Sequence, residues 1–172
     1  ALERVLQGHE PCPALLVDRH WTLVSANRMV PLLLQGLPED LLRPPLNVLR
    51  VSLHPHGLAP RIVNLAQWRA HLLHRLRQQV EASGDTTLAA LADELRAYPM
   101  PGGSADTARA SDEALVATPL QLRTPLGILS LIGTVTVFGT PADATLSELA
   151  LETFFPADAG SGELLRRLAQ MA

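Results

Sequence analysis

The chain has 172 residues, 47% of them apolar, and Leu and Ala together supply about a third of all positions. That excludes a disordered segment and a scaffold held mainly by disulfides, because the single cysteine, Cys12, has no internal partner. Fourteen basic residues, all Arg, against 17 acidic ones give a net charge of −3, which is not the electrostatic footprint of a nucleic-acid surface.

In chain order, Leu2, Val5 and Leu6 have helical spacing that stops at Gly8, and Pro11 and Pro13 break any helix around Cys12. Ala14 to Asp18 and Trp21 to Ala26 are short β-rich runs across a polar turn, which predicts an antiparallel hairpin. Asn27 is a suitable N-cap for a helix through Leu37. After a proline-rich stretch, Asn47 to Leu53 reads as a short helix. From Pro60 to Ala82 the apolar positions Ile62, Leu65, Leu72, Leu73, Leu76 and Val80 keep a near-3.6 period, which predicts a long amphipathic helix. Ser83-Gly84-Asp85 ends it, and Asp85 or Thr87 caps a further helix carrying Leu88, Leu91 and Leu95.

Residues Pro99 to Glu113 read as a surface loop. The period then changes to two. Ala114 to Thr124, Gly127 to Gly139 and Leu146 to Phe155 read as strands, and a last helix runs from about Ser161 to Met171. On the third of these strands, Leu149, Leu151, Thr153 and Phe155 share one face; Glu148, Ala150 and Glu152 share the other, which reads as a solvated face. Strand, strand, helices, three strands and a helix predict an α+β domain, one antiparallel sheet with helices packed on one face. With neither a long uncharged apolar run nor a secretory leader, the chain is expected to be soluble and cytoplasmic. Because it starts at Ala1 rather than Met, it is expected to be cut from a longer protein.

A polar and aromatic stripe, Arg61, Asn64, Trp68, His71 and Arg75, runs along the long helix. One reading makes it the polar edge of a ligand cavity, with Arg61 or Arg75 on a carboxylate and Trp68 as a wall. The other makes it a boundary face with partly solvated arginines. His54-x-His56 and His71-x-x-His74 offer four imidazoles, but their spacing matches no zinc signature, and no metal is expected. The chain carries neither a Gly-x-Ser-x-Gly elbow nor a phosphate-cradling glycine loop, so no catalytic residue is assigned and an enzyme is not expected.

The run Leu15 to Asn27 resembles the opening of PAS-type sensor domains. Three further segments resemble one family, the C-terminal ligand-binding domain of MmyB-like (XRE-type) transcription regulators. They are Leu53 to Leu65 with Trp68 and His71-Leu72-Leu73, then Glu94 to Pro99, then Leu120 to Thr124 with Phe138 to Pro141 and Glu148 to Asp158. His56 departs from the family, which often has an acidic residue there.

The resemblance implies a five-stranded PAS-like sheet in residues 13–172. Residues 1–12 would then be a linker helix from an absent N-terminal helix-turn-helix domain, the only route to DNA. It also implies an apolar ligand such as a fatty acid, with no other cofactor. The ligand site expected on this basis comprises Arg61 at the head group, Asn64, Trp68 and His71 beside it, and Leu72, Leu129, Leu131 and Phe138 along the chain. The competing expectation is a ligand-free interaction module that forms a homodimer.

Overall fold

The computed structural model describes residues 1–101, 117–138 and 148–171. Most of the expected loop at Pro99 to Glu113 and the turn after Gly139 lie outside them. Within them, α1 (Leu2–Gly8) precedes the hairpin β1 (Ala14–Val17) and β2 (Leu23–Ala26). Short helices α2 (Met29–Leu33), α3 (Glu39–Leu42) and α4 (Val48–Leu53) follow, then the long α5 (Leu65–Ser83) and α6 (Thr86–Ala97). Strands β3 (Leu120–Thr124), β4 (Gly127–Val137) and β5 (Ala150–Pro156) and helix α7 (Ala159–Gln170) follow among the described residues.

The five strands form one sheet in the order β2-β1-β5-β4-β3, every neighbouring pair antiparallel. This is the α+β, PAS-like arrangement. Placing β5 beside β1 brings the two ends of the chain together and makes these strands the middle of the sheet.

Register assigns the faces. Leu15 pairs with Glu152 and Leu16 with Leu151, so adjacent residues point to opposite sides. Leu15, Val17, Leu120, Leu122, Leu129 and Leu131 join residues of α2, α4, α5 and α6 in the main core, to which α7 adds Leu164 and Leu165. On the other side, Leu6 of α1 is 1% exposed and packs on Ala14, Leu16 and Leu151. The centre of the sheet is therefore covered on both faces.

The caps show why several helices start where they do. Asn47 Oδ1 accepts from the backbone N–H groups of Leu49 and Arg50, and Asp85 Oδ1 from those of Thr87 and Leu88. Gly84, at φ 65°, closes α5 in the left-handed conformation.

The long helix begins later than its apolar period suggests. Pro60 lies within only a 3-10 turn, Ala59–Arg61. Residues 62–64 then run along the edge strand: Ile62 bridges Leu122, and the Val63 N–H donates to Gln121 O at 2.8 Å. Asn27 also departs from expectation. Arg28 occupies the N-cap position of α2, and the buried Asn27 side chain, besides accepting from the Met29 N–H at the start of α2, bonds the backbone of Leu6, Cys12 and Ala14.

Candidate functional site

Between the helix-bearing face of the sheet and α2, α4 and α5 lies a cavity of about 120 Å³. Leu15, Leu120, Leu122, Leu131 and Phe154 form its sheet side; Val30, Leu33, Leu49, Val51, Trp68 and Leu72 form its helix side. An engineered apolar cavity of about 150 Å³ takes benzene, so this space suits a segment of roughly six carbons.

The lining is almost wholly apolar. Both tryptophans of the chain are part of it, and each has its N–H satisfied: Trp21 Nε1 donates to Gln79 Oε1 at 2.7 Å, and Trp68 Nε1 to Ser52 Oγ at 3.0 Å. Both rings are therefore held in place. Trp21 sits at the turn before β2 with φ 66°, an uncommon conformation for a bulky side chain, and its ring faces the Arg75 guanidinium, 4.7 Å away.

Among the described residues that line the cavity, the charged ones are Arg75 and Glu152. Arg75 Nη2 donates to Glu152 Oε1 at 2.7 Å, tying α5 to β5. The Glu152 side chain is 5% exposed and that of Arg75 27%. The expectation that Glu152 lies on a solvated face is therefore corrected. Its face is the core face, and its charge is matched by Arg75. Glu148 is exposed.

The residues expected at the site separate into two groups. Trp68, Leu72 and Leu131 line the cavity. Arg61 lies before α5 rather than on it, and its guanidinium donates to Leu33 O at 3.3 Å and Gln35 O at 2.8 Å, bracing the loop after α2. Asn64 joins α5 to β3, donating to Pro119 O at 2.7 Å and accepting from the Gln121 N–H at 3.1 Å. His71 stacks on Trp68 with ring centroids 5.2 Å apart, behind the cavity wall. Leu129 is fully buried in the core beside the cavity rather than in its lining. Phe138 packs with the α1 cluster on the other side of the sheet.

A second polar group links α4 to α6 away from the cavity. Arg50 makes a two-pronged contact with Glu94, Nε to Oε2 at 2.7 Å and Nη2 to Oε1 at 3.0 Å, and the Tyr98 hydroxyl donates to Glu94 Oε2. The Arg50 bond holds the Glu94 carboxyl below its usual range. Burial, then the bond to Glu94, pushes the Tyr98 phenol up to about 12. The His54 ring packs edge-on against Tyr98, and burial lowers its pKa. Among the described residues, no three His, Cys, Asp or Glu side chains come together as a metal-holding group. No described helix is long and apolar enough to cross a membrane.

Strand order and helix placement define a PAS-like α+β domain with an apolar cavity between its sheet and helices. The family model for the MmyB-like transcription regulator ligand binding domain matches residues 1–168, and the chain belongs to that family. It is thus a ligand-binding domain of transcription regulators, a class defined by binding rather than by catalysis. Comparison with curated proteins gives no match.

Proposed function

We propose that this domain is the cytoplasmic sensory unit of a DNA-binding regulator and that its cavity receives an apolar small molecule bearing an alkyl chain, of the fatty-acid class in the broad sense: the acid itself or its alcohol or amide derivative. One observation carries this reading: an apolar cavity between helices and sheet, with its charged lining confined to the Arg75–Glu152 pair. Trp21, Trp68, Leu72 and Leu131 would contact the chain, and Arg75 would lie nearest the head group. Arg61, Asn64 and His71 would act from outside, holding the loop, strand and indole that shape the wall. Residues 1–12 would lead to a helix-turn-helix domain. Ligand in the cavity would favour one packing of α1 against the sheet over another.

Extraction of the purified domain into organic solvent, followed by mass spectrometry, tests this. Near-stoichiometric recovery of a lipid-like molecule is the expected result. An empty extract, together with an unchanged melting temperature in added alkyl ligands, sinks the reading. The competing reading, a ligand-free homodimerisation module, is favoured by the exposed side chains of Ile128, Ile132 and Phe155 on the outer face of the sheet. It predicts instead a melting temperature that rises with protein concentration.

A further inference from the structure

We infer that Glu152 makes this cavity select ligands with an uncharged, hydrogen-bonding head group, alcohols and primary amides of alkyl chains, over free carboxylates. The inference rests on the reading of the cavity as an alkyl-chain site. Its basis is that the cation of the cavity wall already has a counter-ion: Arg75 and Glu152 meet at 2.7 Å, and the carboxylate is almost fully buried.

Neither partner is free to move aside. Glu152 sits mid-strand in β5, paired with Leu15 of β1 on one side and Val135 of β4 on the other, so the sheet fixes its backbone. The Arg75 guanidinium lies over the Trp21 ring, and that ring is held by its bond to Gln79. A ligand carboxylate would have to share one guanidinium with Glu152 at close range in a medium of low dielectric, where like charges disfavour each other's ionised form. Displacing Glu152 instead would leave a buried carboxylate without its cation.

An uncharged head group meets neither penalty. A hydroxyl or amide donates to the carboxylate of Glu152 and accepts from Arg75, whose guanidinium has five N–H groups, one of them engaged with Oε1. The pair stays intact, and the ligand completes its hydrogen bonding without adding charge. The same hydrogen bonds in the absence of the acid would favour an anion. Glu152 is thus the residue that sets the preference.

The test compares hexan-1-ol, hexanamide and hexanoate binding to the 172-residue chain at pH 7, followed by tryptophan fluorescence and calorimetry. The alcohol and the amide are expected to bind at least tenfold more tightly than hexanoate. In Glu152→Gln, which keeps the shape and removes the charge, hexanoate should gain at least tenfold relative to hexan-1-ol. Hexanoate binding as tightly as the alcohol in the unmodified protein overturns the inference and leaves the cavity reading standing. Failure of all three to bind overturns both. The unmodified series decides even if the variant does not fold.

Discussion

The side-chain amide of Asn27 donates to the carbonyl of Leu6 at 3.0 Å, fastening α1 to the junction between β2 and α2. The same amide donates to Cys12 O at 2.9 Å, and Oδ1 accepts from the N–H groups of Ala14 and Met29, both at 3.3 Å. Asn27 is 3% exposed. Asn27→Ala would leave several buried backbone groups without partners, each costing about 1–3 kcal/mol. Because chain relaxation and water recover part of this, the expected loss is about 2–4 kcal/mol in urea denaturation, with the slope m unchanged. A loss below about 0.5 kcal/mol would show that Asn27 is no more than a turn residue.

The two tryptophans of the chain, Trp21 and Trp68, both line the cavity, so intrinsic fluorescence reports on its contents without a label. Saturating hexan-1-ol is expected to change the emission of both, seen separately in Trp21→Phe and Trp68→Phe. A ligand that raises the melting temperature and leaves both emissions unchanged would be bound elsewhere on the protein.

The Arg50–Glu94–Tyr98 group has opposite acid and alkaline signatures. Glu94 ionises below its ordinary 4.5, so its contribution is complete at neutral pH and is lost as pH falls from about 4.5 through its lower value in the fold. Tyr98 is raised from 10.0 to about 12, so its contribution is intact below pH 10 and is lost as pH rises from 10 to about 12. It is the one tyrosine in the chain, which makes absorbance at the phenolate band a clean readout. The folded protein should titrate near 12. In Glu94→Gln the midpoint should fall while staying above 10, because burial, the larger cause, remains. A folded-state midpoint of 10 would place the phenol in water.

Much of the fold was legible in the sequence because its signals are local. The hairpin from Ala14 to Ala26, the caps at Asn47 and Asp85 and the two-residue period of β4 each depend on neighbours within a few positions. The site was less legible, for two physical reasons. The stripe from Arg61 to Arg75 assumes one continuous helix, but residues 62–64 pair with β3, so Arg61 leaves the stripe and Arg75 holds its cavity end. On β5 the period of two was right and the choice of inward face was not. With α1 on one side and α2 to α6 on the other, Leu151 and Glu152 are both buried, and the polarity of a side chain no longer tells which way it points. Only the cross-strand partner, Leu15, and the distant Arg75 resolve that.

The alternation along β1 and β5 places the cavity and the seat of α1 on opposite faces of the same two strands. Leu15 and Glu152 border the cavity, while their chain neighbours Leu16 and Leu151 carry Leu6 of α1. The cavity wall and the seat of α1 are thus two sides of a partition one peptide thick. A shift of either strand large enough to admit a longer chain must displace the seat of α1 by a comparable distance, with no relay of side chains in between.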